Sequence, residues 1–545
     1  MKIKRRCRLI DTPSVPRLVV ALVASFAALG MAAADAAQAR LLVNIVVEGL
    51  DADYLELLRD RFGEGGFKRF ERHGATISHA DYGPGLDAAA ASATILTGAS
   101  PSLNGVGGTT VYDRERLRVT ETYADPDILG NFSSIPYSPK ALRVSTVSDE
   151  ARIASGGTSV VYAIAPDAAT ALALGGHAAN AALWLDPKTG NWASSTYFKE
   201  MPVSVATRNR TMPLSARLDT MSWTPALAPS AYPAVPDHLS RYSFRYVFPH
   251  SNAARLDMFK ASPLVNREVT TVATDLLSSL QIGRHEGVTD VLGIGYTLEP
   301  FDYGKNPDNR VELMDAYVRL DAGIANLLDD IDRRVGLDHT VIMLAGTPPR
   351  TRTRRDSDLW GVPSGEFSTR KAVSLLNMYL IALYGNGDFV SAYHNGNIYL
   401  NHKLIKERSL DETEVRTRAA AFMARMTGVD RVHTLDEIIA GHAGENAEAL
   451  RRNTVASSAG DLRIMVAPGF EIVDDYNTVV PADHIPMVER AAATTAPVYI
   501  LAPGIATQTI GTPVDARAIA PAVCRILRIR SPNGASQAPV QLLKK

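Results

Sequence analysis

The chain has 545 residues, of which 46% are hydrophobic and 21% are charged, a balance typical of a globular protein with one large α/β domain and a cap, or with two domains. The formal net charge of −1 argues against nucleic-acid binding and against attraction to an anionic membrane surface. Two cysteines are too few for a disulfide framework.

The first 39 residues have the pattern of a secretory signal peptide. Basic residues cluster between positions 2 and 8, residues 18–34 form an apolar run without charge, and Ala37 and Ala39 offer small residues for cleavage before Arg40. We therefore expect a periplasmic or secreted protein; the alternative is an uncleaved membrane anchor. After cleavage we expect no membrane contact, because no later apolar run is long enough to span a bilayer.

Short apolar runs in the rest of the chain predict an α/β fold with a mostly parallel central sheet, flanked by helices on both faces. The predicted core strands are 41–47, 75–79, 159–165, 289–296, 340–344 and 498–501. An apolar stripe predicts a long amphipathic helix over 311–334.

Insertions and boundaries follow from composition. The stretch at about 196–260 is rich in Pro, Ser and aromatic residues, which predicts a cap insertion, and alternating short elements over 371–448 predict a second one. The main domain is expected to span 40–537, with a tail at 538–545.

The segment at residues 83–105 (GPGLDAAAASATILTGASPSLNG) predicts a loop that leads into a buried helix of small residues. Gly98, with Pro101 just beyond it, predicts where this helix ends. Small residues allow a helix to pack closely on a sheet. The unpaired N–H groups at its start make that end a candidate anion-binding site.

An ordered set of segments carries a family resemblance: 63–70, 97–105 (TGASPSLNG), 148–152, 189–192, 315–321 (DAYVRLD), 395–401 (NGNIYLN) and 516–532. Their order resembles bacterial periplasmic alkaline phosphatases of the Thr-nucleophile type, within the alkaline phosphatase superfamily and its type I phosphodiesterase / nucleotide pyrophosphatase family. The resemblance covers roughly residues 40–537. It implies an alkaline-phosphatase-like core and a centre with two zinc ions about 4 Å apart, which stabilise the attacking and leaving oxygens.

The resemblance places the nucleophile of these enzymes at Ala88. Alanine has no oxygen with which to attack phosphorus. Ser92, one helical turn later, is either a packing serine or a substitute nucleophile.

The first metal-ligand positions that the resemblance implies are also altered. After the strand 41–47 the position holds Glu48, which is either a remnant ligand or a carboxylate that caps the next helix. After the strand 289–296 the positions hold Pro300 and Gly304, neither of which binds metal through a side chain. A small slip in the alignment could recruit Glu299 or Asp302, and Asp302 is the better match.

The later positions follow the same trend. An Asp-His-Gly run after the strand 340–344 is replaced by residues 347–349 (TPP), and the last His falls at Pro486, two positions from His484. The phosphate-contacting Lys and Arg fall at Asp167 and Ala169, while the phosphate-contacting Asn falls at Thr109 or Thr110.

These replacements predict an exported member of the superfamily that has lost the two-zinc site and acts as a binding, scaffolding or regulatory protein. We expect no cofactor, no catalytic residue and an unknown protein or small-molecule partner, with Glu48, Asp302 and His484 as possible remnants of the metal site. A second hypothesis is an active phosphate-ester hydrolase with a metal site rebuilt from Glu48, Asp87, Asp302 and His484, which would bring zinc back. A third is a glycan- or nucleotide-binding protein that uses its insertions.

Overall fold

The computed structural model describes residues 39–199, 201–233, 242–301, 303–304, 309–349, 361, 363–467, 469–474 and 494–544. The predicted signal peptide, Asp302 and His484 lie outside these ranges. In the described part of the chain no helix combines the length and hydrophobicity needed to cross a bilayer.

The described residues contain strands that belong to one large sheet and several small ones. They are β1 (Leu41–Glu48), β2 (Ala75–Asp81), β3 (Thr110–Asp113), β4 (Arg118–Glu121), β5 (Gly130–Asn131), β6 (Val161–Ile164), β7 (Ala181–Leu185), β8 (Trp192–Ser195), β9 (Ser222–Trp223), β10 (Tyr246–Val247), β11 (Asp290–Thr297), β12 (Thr340–Gly346), β13 (Gly365–Ser368), β14 (Val390–His394), β15 (Asn397–Leu400), β16 (Val429–Thr434), β17 (Leu462–Val466), β18 (Phe470–Asp474), β19 (Thr495–Leu501), β20 (Gln508–Ile510) and β21 (Val514–Asp515).

The α-helices of the same ranges are α1 (Ala52–Leu57), α2 (Phe67–His73), α3 (Ala88–Thr97), α4 (Pro101–Asn104), α5 (Val147–Ala154), α6 (Ala168–Gly175), α7 (Val203–Thr211), α8 (Leu214–Arg217), α9 (Arg255–Ala261), α10 (Leu264–Ser279), α11 (Arg310–Arg334), α12 (Thr369–Tyr384), α13 (His402–Glu407), α14 (Glu412–Met423), α15 (Leu435–Ala440), α16 (Ala447–Arg452) and α17 (Ile519–Leu527).

The central sheet has the order β20-β2-β19-β12-β1-β11-β6-β7-β8-β5, with β21 paired to β2. Its middle is parallel, because β1 pairs in parallel with β11 and β12, and β6 pairs in parallel with β11 and β7. Strand β19 is antiparallel to both β12 and β2. The predicted fold class is confirmed, and each predicted core strand occurs with bounds shifted by at most a few residues.

Both faces of β1 are buried, which explains its nearly continuous apolar sequence. Leu41, Val43, Ile45 and Val47 point into the hydrophobic core on one side of the sheet. The intervening Leu42 and Val46 belong to the core on the other side. The strand is therefore fixed at the centre of the molecule, and its end at Glu48 has a well-defined position.

Helix α3 is the small-residue helix that the sequence predicts. Every residue from Ala89 to Thr97 is buried, and the helix packs against α6 and α17. Its end at Gly98 is confirmed, since this residue adopts the left-handed conformation (φ 65°) and its N–H donates to the Thr94 carbonyl.

The cap insertion is held on the core by Asp315 of α11, whose carboxyl group is fully buried. One carboxylate oxygen accepts hydrogen bonds from the Trp223 indole (2.6 Å) and the Arg319 guanidinium (2.6 Å). The other accepts from the Ala226 N–H (2.6 Å) and the Tyr232 hydroxyl (2.6 Å). A single buried charge thus fixes the strand β9 and the chain that follows it.

The second insertion forms a subdomain with its own core. Strands β14, β15, β17 and β16 make a four-stranded sheet in that order, and α12 and α14 pack with it. This core begins before residue 371 and ends after 448, so it is larger than the predicted insertion. The predicted tail at 538–545 contacts the main domain, since the Val540 N–H donates to the Ala518 carbonyl (3.3 Å).

We predict that Asp315→Asn lowers the free energy of unfolding by about 3 kcal/mol, because the amide leaves buried donors unpaired. Urea denaturation followed by tryptophan fluorescence measures the change. Asp329→Asn is the matched control on the same helix. The Asp329 side chain is 64% exposed and pairs with Arg69 at the surface, so we expect a change below about 1 kcal/mol. Equal effects of the two substitutions would contradict the anchoring role.

Candidate functional site

A cleft of about 660 Å³ lies at the carboxyl ends of the central strands, between the core and the second insertion. Ligand sites of open α/β sheets form at this end of the strands. The core contributes Gly49, the loop 84–88, Glu299 and residues 347–349, and the insertion contributes residues 393–397 and Arg463, among others. The cleft is therefore the candidate functional site.

Helix α3 begins at the cleft wall. Ala88 is its first residue and lines the cleft, so a methyl group stands at this point. Asp87 caps the helix: one carboxylate oxygen accepts from the Ala90 N–H (3.0 Å) and the other from the Thr109 N–H (2.6 Å). Ser92 is completely buried, so it packs in the core and does not reach the cleft as a substitute nucleophile.

Glu48 lies at the end of β1 and accepts a hydrogen bond from the Thr170 hydroxyl of α6. It does not cap the next helix, because the cap of α1 is Asp51, which accepts from the Asp53 N–H (2.9 Å). That part of the sequence interpretation was wrong for a local reason: Asp51 stands directly before the helix, whereas Glu48 is still in the strand.

The carboxyl group of Glu48 is surrounded by negative charge. Desolvation by the surrounding protein, followed by the carboxylates of Asp167 and Glu299, holds the pKa of Glu48 well above its usual range. Asp167 caps α6, where its carboxylate accepts from the Thr170 N–H (2.9 Å). The site at the end of β1 is therefore an acidic cluster, and Ala169 at the start of α6 adds no charge.

The chain after β12 supplies backbone contacts in place of metal ligands. The hydroxyl of Thr347 is buried and accepts from the Gly49 N–H (3.1 Å), while the Thr347 N–H donates to the Val47 carbonyl (3.0 Å). Pro348 and Pro349 follow along the cleft wall. These contacts tie the end of β12 to the end of β1.

The donor set of the described cleft does not fit two zinc ions. Each ion of such a pair takes several Asp or His ligands at about 2 Å. Within the described ranges no group of three or more His, Cys, Asp or Glu side chains is arranged to hold a metal ion. Glu299 lines the cleft beside Pro300, but Asp302 and His484 lie outside the described residues, so the four-residue rebuilt site stays a prediction.

Two polar residues of the cleft were missed in the sequence, because both belong to the second insertion. His394, at the end of β14, has its Nε2 within 3.0 Å of the Thr110 hydroxyl. Arg463, on β17, donates from Nη1 to the Asn395 carbonyl (2.7 Å). The run at 395–401 was noticed as a family segment, but nothing in the spacing indicated that its neighbours face the start of α3.

The sequence profile of the family described as type I phosphodiesterase / nucleotide pyrophosphatase matches residues 42–487. The chain belongs to this family. The match covers most of the chain, and it confirms the resemblance to the alkaline phosphatase superfamily.

Similar proteins span nearly the whole chain. A protein of Myroides odoratus named calcium-transporting ATPase is 27% identical over 92% of this chain and 94% of its own length. Alkaline phosphatase PafA of Elizabethkingia meningoseptica is 25% identical over the same shares. The crystal structure of wild-type PafA aligns with a TM-score of 0.80 and 22% identity, over 92% of this chain and 98% of that chain, which supports the shared fold.

The raised pKa of Glu48 predicts a pH dependence of stability. Above pH 4.5, the ordinary pKa of glutamate, the unfolded chain releases this proton while the folded chain retains it, so folding loses stability as the pH rises. Glu48→Gln removes this loss. Relative to the original protein, the variant should gain stability as the pH rises above about 5, at up to about 1.4 kcal/mol per pH unit.

Thermal or urea unfolding at several pH values measures this difference. Glu56→Gln is the control, since the Glu56 side chain is 79% exposed and pairs with Arg59 at the surface. The stability of Glu56→Gln should change with pH in the same way as that of the unchanged protein. Parallel profiles for Glu48→Gln as well would contradict the predicted proton retention.

Proposed function

We propose that this chain is an exported, non-hydrolytic member of the type I phosphodiesterase / nucleotide pyrophosphatase family that binds a ligand in the cleft beside α3. The observation that carries the proposal is the composition of the cleft wall. At the start of α3 stands the methyl group of Ala88, and the chain after β12 continues as Thr347, Pro348 and Pro349. Neither position offers a nucleophile or a metal donor aimed at a phosphoryl group.

The electrostatics of the core side supports the same proposal. Family enzymes hold a transferring phosphoryl group with cations and metal ions aimed at its charge. Here Asp167 caps α6 and Asp87 caps α3, so a carboxylate already occupies the positive end of each helix. A phosphate bound in the cleft beside α3 would meet the carboxylates of Asp87 and Glu299, and repulsion would oppose its binding.

The relatives favour an active enzyme instead, since PafA is named an alkaline phosphatase. An active hydrolase is therefore the second candidate, and it needs Asp302 and His484 to complete a metal site with Glu48 and Asp87. The third candidate, a glycan- or nucleotide-binding protein, draws less support from the cleft. The two tyrosines that line the cleft, Tyr393 and Tyr399, are buried and present no exposed ring for stacking.

The proposal predicts zinc far below one ion per chain after incubation with zinc and dialysis. It also predicts no turnover of an aryl phosphate or an aryl phosphodiester above the buffer rate. Elemental analysis and chromogenic assays measure both, with PafA as the positive control prepared in the same way. Stoichiometric zinc together with turnover would overturn the proposal and favour the rebuilt hydrolase.

A second prediction separates loss of the nucleophile from loss of the metal site. Ala88→Thr places a hydroxyl at the start of α3, but we expect no turnover, because catalytic units fail almost completely when other members are missing. The matched control is Ala91→Thr, one turn further along the buried helix, which tests for damage to folding. Turnover by Ala88→Thr alone would mean that a working metal site survives.

A further inference from the structure

Arg463 is a cation on the part of the cleft wall that the second insertion contributes. It is the only arginine or lysine among the described residues that line the cleft. Strand β17 lies between β15 and β16 in the four-stranded sheet. Leu462, Ile464 and Val466 of this strand point into the subdomain core, so Arg463 projects from the other face. Because β17 is a central strand of this sheet, the backbone that carries the Arg463 side chain has a fixed position.

The guanidinium group fits between two glycines. A Cβ on Gly85, in the loop before α3, would lie 3.0 Å from Nη2, and a Cβ on Gly396, in the turn between β14 and β15, would lie 3.6 Å from Nε. Both glycines have positive φ (77° and 71°), a backbone conformation that other residues rarely adopt. Because both residues are glycines, no side chain of theirs occupies the space beside the guanidinium group.

The hydrogen-bond pattern of Arg463 is incomplete. Nη1 donates to the Asn395 carbonyl, which holds the group in place. Nε is buried and has no acceptor among the described residues. A buried donor without a partner costs free energy, and it is satisfied when a ligand oxygen reaches it.

We propose that Arg463 binds the oxyanion of a small-molecule ligand, a carboxylate or a phosphate, in this cleft. The planar guanidinium offers two N–H groups to two oxygens of such an anion, which a neutral ligand cannot match. The anion then lies on the insertion side of the cleft. The inference rests on the proposed function only in taking the cleft as a binding site.

Calorimetric titration with phenyl phosphate, benzoate and neutral benzamide tests this site in the full chain. We expect at least one of the two anions to bind, and benzamide to bind at least about tenfold more weakly, since a charge-assisted pair is worth about 1.5–3 kcal/mol. The anion that binds more tightly identifies the ligand class. The proposal is overturned if neither anion binds with a Kd of about 10 mM or tighter.

Two variants of Arg463 and one control make the test specific. Arg463→Gln should weaken the anion by about tenfold or more, and Arg463→Lys should weaken it less, because it keeps the charge and loses the planar fork. Arg451→Gln is the control, since this arginine pairs with Glu448 on the exposed face of α16. Unchanged affinity in both Arg463 variants, or an equal loss in the control, overturns the proposal.

The same samples separate this inference from the proposed function. Phosphate release from phenyl phosphate is measured in parallel with binding. Release by the unchanged protein overturns the non-hydrolytic function whatever Arg463 does. Absence of release together with no effect of Arg463 overturns only the anion site, and absence of release with weakened binding in Arg463→Gln supports both.

Discussion

The structure depends on where the central strand β1 ends. Its two buried faces fix the position of Glu48, and the Thr170 hydroxyl holds that carboxyl group against α6. Burial, and after it the negative charge of Asp167 and Glu299, keeps the pKa of Glu48 high. An acidic end of the sheet disfavours an anion there, and it does so without any change in the fold, because all three groups lie at the ends of elements and not within them.

The second insertion then becomes the source of the cleft's positive charge. Contacts across the cleft join the two parts: Thr110 meets His394, and the Asn453 amide donates to the carbonyls of Tyr82 (3.1 Å) and Pro84 (3.0 Å). These bonds fix the loop before α3 against the subdomain that carries Arg463. The loop is held by Asn453 and the arginine by the Asn395 carbonyl, so both sides of the space between them are fixed by hydrogen bonds to the subdomain. A scaffold whose site lies between two packed parts can alter its ligand by substitutions in either part alone.

The sequence predicted the parts of the fold that follow from burial and periodicity. Strand β1 was identified because a strand buried on both faces has no polar alternation, and α3 was identified because Gly98 ends a run of small residues. The role of Glu48 was not predictable, since the choice between capping α1 and contacting α6 depends on Thr170, more than a hundred residues away. The position of Arg463 in the cleft was not predictable for the same reason. A single charged residue in an alternating strand looks like an ordinary solvent-facing position until the subdomain is placed against the core.

The packing of this fold does not depend on the residues that line the cleft. The core is held by apolar burial on both sides of the sheet and by pairs such as Asp315 with Trp223 and Arg319, none of which lies in the cleft. Groups that bind metals or attack phosphorus contribute little to such packing, and clustered charges at a site usually cost stability. In this cleft stand Ala88, Thr347 and two prolines, and Thr347 is hydrogen-bonded to the Val47 carbonyl and the Gly49 N–H at the end of β1. The cleft remains open because its walls belong to separate, independently packed cores, and an open cleft with one incompletely bonded guanidinium group is suited to bind an anion.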